Sequence, residues 1–461
     1  MGGRRVLPRG SGGPGIVTGR MLPAAVALVL WIAAMPAVAG QQPAGLTVYA
    51  GQGVEPARIA IPTFAAAGGA AVRENNFRDI IYRDLELTGY FSRPGNQTFV
   101  EENAQLDRKA GAINFPEWQR LGAVYLVEGS YELQPNGQLA VTAILHYVPS
   151  GKRIFGKRFV NAADQQRVLA HHVSDEIFYW VTGQEGVANT KLLYSAVAGE
   201  RTRGNREIWV MDADGYGARP VTNEGRLNLT PGWGANATEI YYTTYRDYNP
   251  DLSGIYLRGG APWFISRYPG LNASPSWSQA RQRIALTLGK DGNSEIYTIS
   301  REGKAPKRLT YEKAIDSSPA WSPSGNDIAF TSDRAGSPQI YIMDGEGMNV
   351  RRVSFVNSNW CDGAVWSPQG NKLTFAARVS GQFQIFVCEV DGSNPVQLTS
   401  SGNNEDPSWS PNGLLVAFAS DRNGSPQIYI MNNDGSNQRG LTNRGYNTSP
   451  AWSQYLFEKK R

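Results

Sequence analysis

Six tryptophans, Trp233, Trp277, Trp321, Trp366, Trp409 and Trp452, follow one another at intervals of 44, 44, 45, 43 and 43 residues. Each stands in a copy of one pattern, as in Ser274-Pro275-Ser276-Trp277-Ser278, Ser318-Pro319-Ala320-Trp321-Ser322 and Asp406-Pro407-Ser408-Trp409-Ser410. After the tryptophan come a turn, an apolar strand, a second turn, an Ile-Tyr or Ile-Phe strand, an Asp/Gly turn and a short strand ending in Leu-Thr or similar. Four short strands repeated at about 40 to 45 residues are the mark of a propeller blade. A blade buries its faces only against neighbouring blades, so the period predicts a closed ring of six.

The ends of the array predict how the ring closes. The last copy has its Trp452 strand and little after it, whereas Leu192–Ala196, Glu207–Met211 and Arg219–Thr222 read as the second, third and fourth strands of a copy without a first. Joining the two completes the sixth blade and removes sheet edges that an open array would leave unpaired.

In front of the repeat the pattern changes. Arg4, Arg5, Arg9 and Arg20 precede the apolar run Leu22 to Ala34, which ends at Ala37-Val38-Ala39, the layout of a cleavable secretory signal over residues 1–39. Residues 40–57 read as a mobile N-terminal segment, 58–186 as an α/β domain and 190–461 as the six-bladed propeller, giving a mainly β chain. Within the α/β domain, Leu46–Tyr49 just upstream and Arg58–Ile61 read as strands, and Asn76 caps a helix to about Thr88 that puts Phe77, Ile80, Ile81 and Leu85 on one face. Pro116 opens a short helix, Val124–Tyr131 and Leu139–His146 form a hairpin, Arg153–Val160 adds a strand, and Asp164 caps a last helix to about Thr182.

Composition removes several function classes. Residues 1–39 carry four of the 45 Lys/Arg and none of the 40 Asp/Glu, which leaves the rest at 41 against 40. Clustered basic charge for nucleic acid is absent. Cys361 and Cys388 are too few to form a disulfide framework and read as two separate small side chains. All three histidines, His146, His171 and His172, precede the propeller, so acid–base or metal chemistry on its axis would rest on carboxylates alone. His171 and Asp175, four apart on a helix, could share a metal, though a salt-bridged histidine is the commoner reading. No Gly-x-Ser-x-Gly occurs, and Ser-Asp-Arg at 332–334 and 420–422 reads as a structural turn holding an Asp–Arg pair. No catalytic residue, metal site or cofactor is expected.

The loops entering the innermost strands are where a propeller can vary without loosening its blades. Six residues before each tryptophan stand Leu227, Leu271, Ile315, Trp360, Asn403 and Tyr446; five before stand Asn228, Asn272, Asp316, Cys361, Asn404 and Asn447. Superposed blades would turn these into an apolar ring and an amide ring around one mouth, with Asp316, Asp362, Glu405 and Asp406 adding negative charge. Apolar side chains rimmed by polar ones fit a protein partner. The plainer alternative is that the asparagines cap their own turns.

With the signal, the α/β domain, the Trp-Ser-Pro copies, the ending Ser449-Pro450-Ala451-Trp452-Ser453 and the stretch His171-His172-Val173-Ser174-Asp175-Glu176-Ile177-Phe178, the chain resembles the TolB family of periplasmic propellers of the Tol-Pal system. The resemblance implies a non-enzymatic periplasmic adaptor, peripheral to membranes, that serves outer-membrane integrity and constriction at cell division. It implies two partners: the peptidoglycan-associated lipoprotein Pal at the mouth, and TolA through the N-terminal segment with Gln41, Leu46, Val48 and Tyr49. Other envelope proteins and no nucleic acid complete the expected partners. Leu271 and Ser317 match family contacts to Pal, although the family often has His at the first. The site so expected comprises Leu271, Asn272, Ile315, Asp316, Ser317, Trp360, Asp362, Glu405 and Tyr446. A periplasmic propeller enzyme acting on glycan or peptide is the competing reading.

Overall fold

Each repeat folds as an antiparallel four-stranded sheet, and the computed structural model, which describes residues 55–67, 76–197 and 204–456, contains six of them. The innermost strands are Asn228–Trp233 (blade 1), Asn272–Ser278 (blade 2), Asp316–Trp321 (blade 3), Cys361–Trp366 (blade 4), Asn404–Trp409 (blade 5) and Asn447–Trp452 (blade 6). In blade 6 the order runs Asn447–Trp452, Lys191–Val197, Arg206–Asp212, Arg219–Pro220, so the C-terminal strand completes a blade begun 250 residues earlier, roughly speaking. The signal at 1–39 and the N-terminal residues Gln41, Leu46, Val48 and Tyr49 lie outside the described residues.

The inner strands share a backbone irregularity that the proline explains. The third residue before each tryptophan, Thr230, Ser274, Ser318, Gly363, Asp406 or Ser449, has a positive φ between 46° and 66°. The register of the ladder shifts at that point in every blade. In five copies the next residue is Pro231, Pro275, Pro319, Pro407 or Pro450, which has no N–H to give the ladder, so the strand bulges there. The copy without a proline, Gly363-Ala364, has glycine at the strained position, where φ of 66° carries no Cβ penalty. Adjacent inner strands are then tied across the bulge: Ser276 Oγ accepts Trp321 N at 3.0 Å and Ser408 Oγ accepts Trp452 N at 2.9 Å.

The α/β domain comprises β1 (Ala57–Ala60), β2 (Ala65–Ala66), α1 (Phe77–Leu87), β3 (Phe91–Ser92), α2 (Gln97–Ala110), α3 (Phe115–Arg120), β4 (Tyr125–Leu133), β5 (Gln138–Tyr147), β6 (Lys152–Ala162) and α4 (Gln166–Thr182). Its mixed sheet runs β3-β1-β4-β5-β6, with β2 beside β4. One face is covered by α1 and α4, where Phe77, Ile80, Ile81 and Leu85 meet Leu169, Val173, Ile177 and Phe178. Burying four such side chains stabilises the domain by about 6–12 kcal/mol before the entropy of ordering them is counted. Asn76 occupies the position before α1 without capping it by its side chain, and α4 starts at Gln166 after Gln165 rather than at an Asp164 cap.

Helix α2 is absent from the sequence reading although its signals were present. Asn96 Oδ1 accepts Thr98 N (3.0 Å) and Phe99 N (3.3 Å), and Gly111 ends the helix at φ +68°. Only Val100 and Ala104 along it are buried, so its apolar face is too narrow to stand out as a period.

The domain rests on the propeller face opposite the loops that enter the inner strands. Asn437 Nδ2 donates to Leu87 O (3.1 Å), Asn412 Nδ2 to Glu185 O (2.8 Å) and Arg83 Nε to Asp214 O (2.9 Å). Among the described residues these contacts fall on blades 5 and 6, away from the entry loops.

Candidate partner-binding face

The first residue of each inner strand points into the protein, not into the mouth. Asn228, Asn272, Asp316, Cys361 and Asn404 are fully buried, and Asn447 nearly so. Asn228, Asn404 and Asn447 donate through Nδ2 to Glu207, Gln384 and Gln427 at 3.0, 3.0 and 2.8 Å. The same acceptors hold the threonines of the Leu-Thr endings, with Thr399 Oγ1 on Gln384 (2.9 Å) and Thr442 Oγ1 on Gln427 (2.7 Å). Asn272 is saturated by Pro250 O, Tyr268 O, Gly270 O, Tyr268 N and Ser266 Oγ. The amide ring is thus a seam between consecutive blades. Asn272 and Asp316 lie beneath the mouth and hold up the loops above it.

Asp316 also corrects the reading of the Ser-Asp-Arg turns. Arg334 pairs with Asp316 at 2.9 Å, not with Asp333, and Arg422 donates to Asn404 Oδ1 at 2.8 Å. The turn aspartates instead accept backbone N–H groups, Asp333 from Ile315 (2.8 Å) and Asp421 from Asn403 (2.6 Å). Each motif fastens an entry loop from two sides.

The residues one position earlier do reach the surface. Ile315 is 53% exposed, Trp360 43% and Tyr446 39%, while Leu271 is half-buried. Trp360 packs edge-on against Phe383 with centroids 6.4 Å apart, and Tyr446 lies under the Arg206 guanidinium at 4.5 Å. Three aromatics that the sequence reading passed over are strongly exposed: Tyr248 at 95%, Tyr311 at 73% and Phe355 at 59%. Tyr311 and Phe355 stand ten and eleven residues before their tryptophans, outside the two columns compared. Tyr248 sits in a loop between second and third strands, which strand alternation brings to the same end.

Inside the mouth, Ser317 and Asp362 are half-buried and Glu405 is exposed. Asp362 Oδ1 accepts from Thr331 Oγ1 (2.6 Å) and Gly363 N (2.7 Å), and Asp406 Oδ2 accepts the N and Oγ of Ser449, both at 3.0 Å. Partial desolvation of its carboxyl, then the charges of Asp406, Asp421 and Asp362, push Glu405 up to about 7. The folded protein holds this proton at pH values where the unfolded chain has released it, so stability falls as pH rises from the ordinary Glu range through 7. Glu405→Gln is expected to leave the melting temperature unchanged at pH 4.5 and raise it at pH 8 by roughly 1 °C, a small gain because solvent screens the group. Calorimetry at the two pH values checks this, and a lower melting temperature at pH 8 contradicts it.

His171 is salt-bridged, and its partner is not Asp175. Asp175 turns away to accept Ala188 N at 2.8 Å. His171 Nδ1 contacts Asp84 at 2.7 Å, with Nε2 3.7 Å from Asp212. His171, Asp212 and Asp214 could together reach one ion. Arg167 already bridges the two aspartates at 3.1 and 2.7 Å, and Lys191 binds Asp212 at 2.6 Å. These cations supply the positive charge the carboxylates need, and the group fastens α4 to blade 6. Cys361 and Cys388 are both free and buried in one apolar cluster, and burial pushes the Cys388 thiol up to about 12, which makes it inert.

Residues 178–456 match the TolB beta propeller domain and residues 48–154 the TolB amino-terminal domain. The crystal structure of TolB from Acinetobacter baumannii is similar to this chain at 26% identity and a TM-score of 0.75, covering 89% of this chain and 98% of that one. A putative TolB from Agrobacterium tumefaciens matches at 22% identity and a TM-score of 0.45, over 56% of this chain and 90% of that one.

Proposed function

The chain belongs to the TolB family of the Tol-Pal system, and from that premise we propose that it is a non-enzymatic periplasmic adaptor linking the peptidoglycan-associated lipoprotein Pal to the inner-membrane Tol complex. The observation that carries the proposal is the apolar set Ile315, Trp360 and Tyr446, exposed on equivalent loops that enter the inner strands. Large aromatics above a hydrogen-bonded seam give a partner preorganised anchors, and anchors of that kind dominate binding energy. Leu271, Ser317, Asp362 and Glu405 form the inner part of the same surface, with Asn272 and Asp316 supporting it from below. The N-terminal segment, including Gln41, Leu46, Val48 and Tyr49, is the proposed TolA contact, by strand addition to a sheet edge. In this role the protein serves outer-membrane integrity and constriction during division. No helix among the described residues is long and apolar enough to cross a membrane, in keeping with a peripheral role.

An enzyme acting on glycan or peptide is not favoured by the family matches. A pull-down from envelope extract with wild type and with Leu271→Asp plus Trp360→Ala tests the adaptor. Loss of the peptidoglycan-associated lipoprotein from the eluate is expected, with an unchanged circular dichroism spectrum. Unchanged capture overturns the mouth as the site. Removing residues 41–55 is expected to abolish TolA binding while leaving Pal capture intact.

A further inference from the structure

We propose that the outer edge of β6, in the α/β domain, is a docking site for an extended acidic segment of another protein, which adds to the sheet as a further strand. β6 spans 11 residues, Lys152–Ala162, and pairs on one side only, with β5. Beyond that ladder, Ala162 alone has backbone partners among the described residues, Gln165 N on its carbonyl (2.9 Å) and Asn161 Oδ1 on its N–H (2.8 Å). Alternate residues before it therefore turn an N–H and a carbonyl outward with nothing to meet them.

The other sheet edges among the described residues are short. The outermost blade strands have 2 residues in five blades and 4 in the remaining one, and β3, at the far side of the same sheet as β6, has 2. A short edge resists the addition of a strand, and a long one is a template for it.

The side chains along β6 decide which strand is admitted. It carries Lys152, Arg153, Lys157 and Arg158 and no carboxylate. Its register with β5 puts Lys152 and Lys157 on the face covered by α4, where Lys157 meets Glu176 at 2.7 Å. Arg153 and Arg158 lie on the other face, where Arg158 meets Glu132 at 2.8 Å. All four are exposed, and Lys152 and Arg153 have no ion-pair partner among the described residues. A second copy of the chain laid along β6 could oppose these cations only with cations or neutral groups, which disfavours self-pairing. An acidic strand meets opposite charge on both faces. β6 bulges between Arg153 and Phe155, so Lys152 and Lys157 stand opposite Tyr147 and Ala143, four residues apart on β5. Two adjacent acidic residues, repeated at that spacing, match both cation pairs. Beyond the second pair, half-buried Phe159 and Val160, 46% exposed, offer apolar contact.

The test uses full-length protein and the peptide acetyl-Val-Thr-Glu-Glu-Val-Thr-Glu-Glu-Val-Thr-amide, whose acidic pairs keep the spacing. Two comparison peptides each change one property: lysine in place of glutamate, or N-methyl groups on every valine and threonine, which remove backbone donors and keep the charge. Hydrogen–deuterium exchange is read over residues 152–162, and affinity by anisotropy of the labelled peptide. Saturable slowing of exchange in that stretch is expected with the acidic peptide alone. Affinity is expected to weaken about fivefold in Lys157→Ala plus Arg158→Ala, whose surface ion pairs contribute little to the fold. Should that variant lose structure by circular dichroism, Lys152→Ala takes its place, with weakening again expected. No protection over 152–162, equal binding of either comparison peptide, or unchanged affinity in the folded variant each overturns the proposal. So does protection of the same stretch by self-association of the chain alone. Pal capture is read at the propeller, so failure here leaves the proposed function standing.

Discussion

Deleting residues 447–461 is expected to abolish the propeller, not to trim it. The lost strand Asn447–Trp452 is the innermost of blade 6 and pairs along Leu192–Ala196, so both the front and the back of the repeat lose their neighbour. Trp452, 6% exposed, packs in one cluster with Leu192, Met211, Leu415 and Ile430, and its indole N–H donates to Thr190 Oγ1 at 2.8 Å. Loss of that side chain alone costs about 3–5 kcal/mol, against about 5–15 kcal/mol of total stability in a typical domain. The deletion adds a row of unpaired backbone groups on Lys191–Val197 and opens the ring between blades 5 and 1. Near-ultraviolet circular dichroism and calorimetry read the result: no cooperative propeller transition at 25 °C or above. A transition kept within about 5 °C of the intact chain would show that closure contributes little.

His171→Ala is expected to lower the melting temperature by about 5–10 °C, from a cost of about 3–5 kcal/mol for breaking a buried ion pair. Burial opposes charge on His171, but Asp84, Asp212 and Asp214 around it outweigh that and hold it up at about 10, so the ring is cationic at neutral pH. Burial in turn pushes the Asp84 carboxyl up, and His171 and Ser174 Oγ (2.6 Å) draw it back. Alanine leaves Asp84 facing Asp214 without its cation. A base raised in the folded state contributes fully below its ordinary pKa near 6.5, and the contribution fades as pH rises through about 10. The gap between wild type and variant is therefore expected to be wide at pH 6 and narrower at pH 9.5. A gap below 2 °C at pH 6, or one that widens toward pH 9.5, contradicts a charged pair. Because Arg167, Asp212 and Asp214 join α4 to blade 6, limited proteolysis should cut the linker near residues 183–189 faster in the variant.

The Trp-Ser spacing and the strand signals around it were enough to number the blades, and the lone Trp452 strand with its three counterparts after Thr190 was enough to close them. Those features are local: a turn, an alternation and a proline act on neighbours in the chain, so a linear reading sees them. The helix α2 escaped because two buried residues in fourteen leave no period, although its caps, Asn96 and Gly111, were in view. The apolar column on the entry loops was legible as a column; the exposed Tyr248, Tyr311 and Phe355 were not, since they stand outside the two positions that the repeat aligns.

What the sequence by itself determined is therefore the repeat, its number and its closure, because five blades are each specified within about 40 residues of chain and the sixth is what their two ends leave over. What only the tertiary structure decided is the direction of individual side chains at equivalent points. The amide column turned inward to Glu207, Gln384 and Gln427. Arg334 chose Asp316 over the aspartate beside it, and His171 chose Asp84, 87 residues away, over Asp175 one turn along its helix. In each case a polar group entering the interior bonds whichever partner the packing brings within reach, and that partner is set by how blades and domains meet.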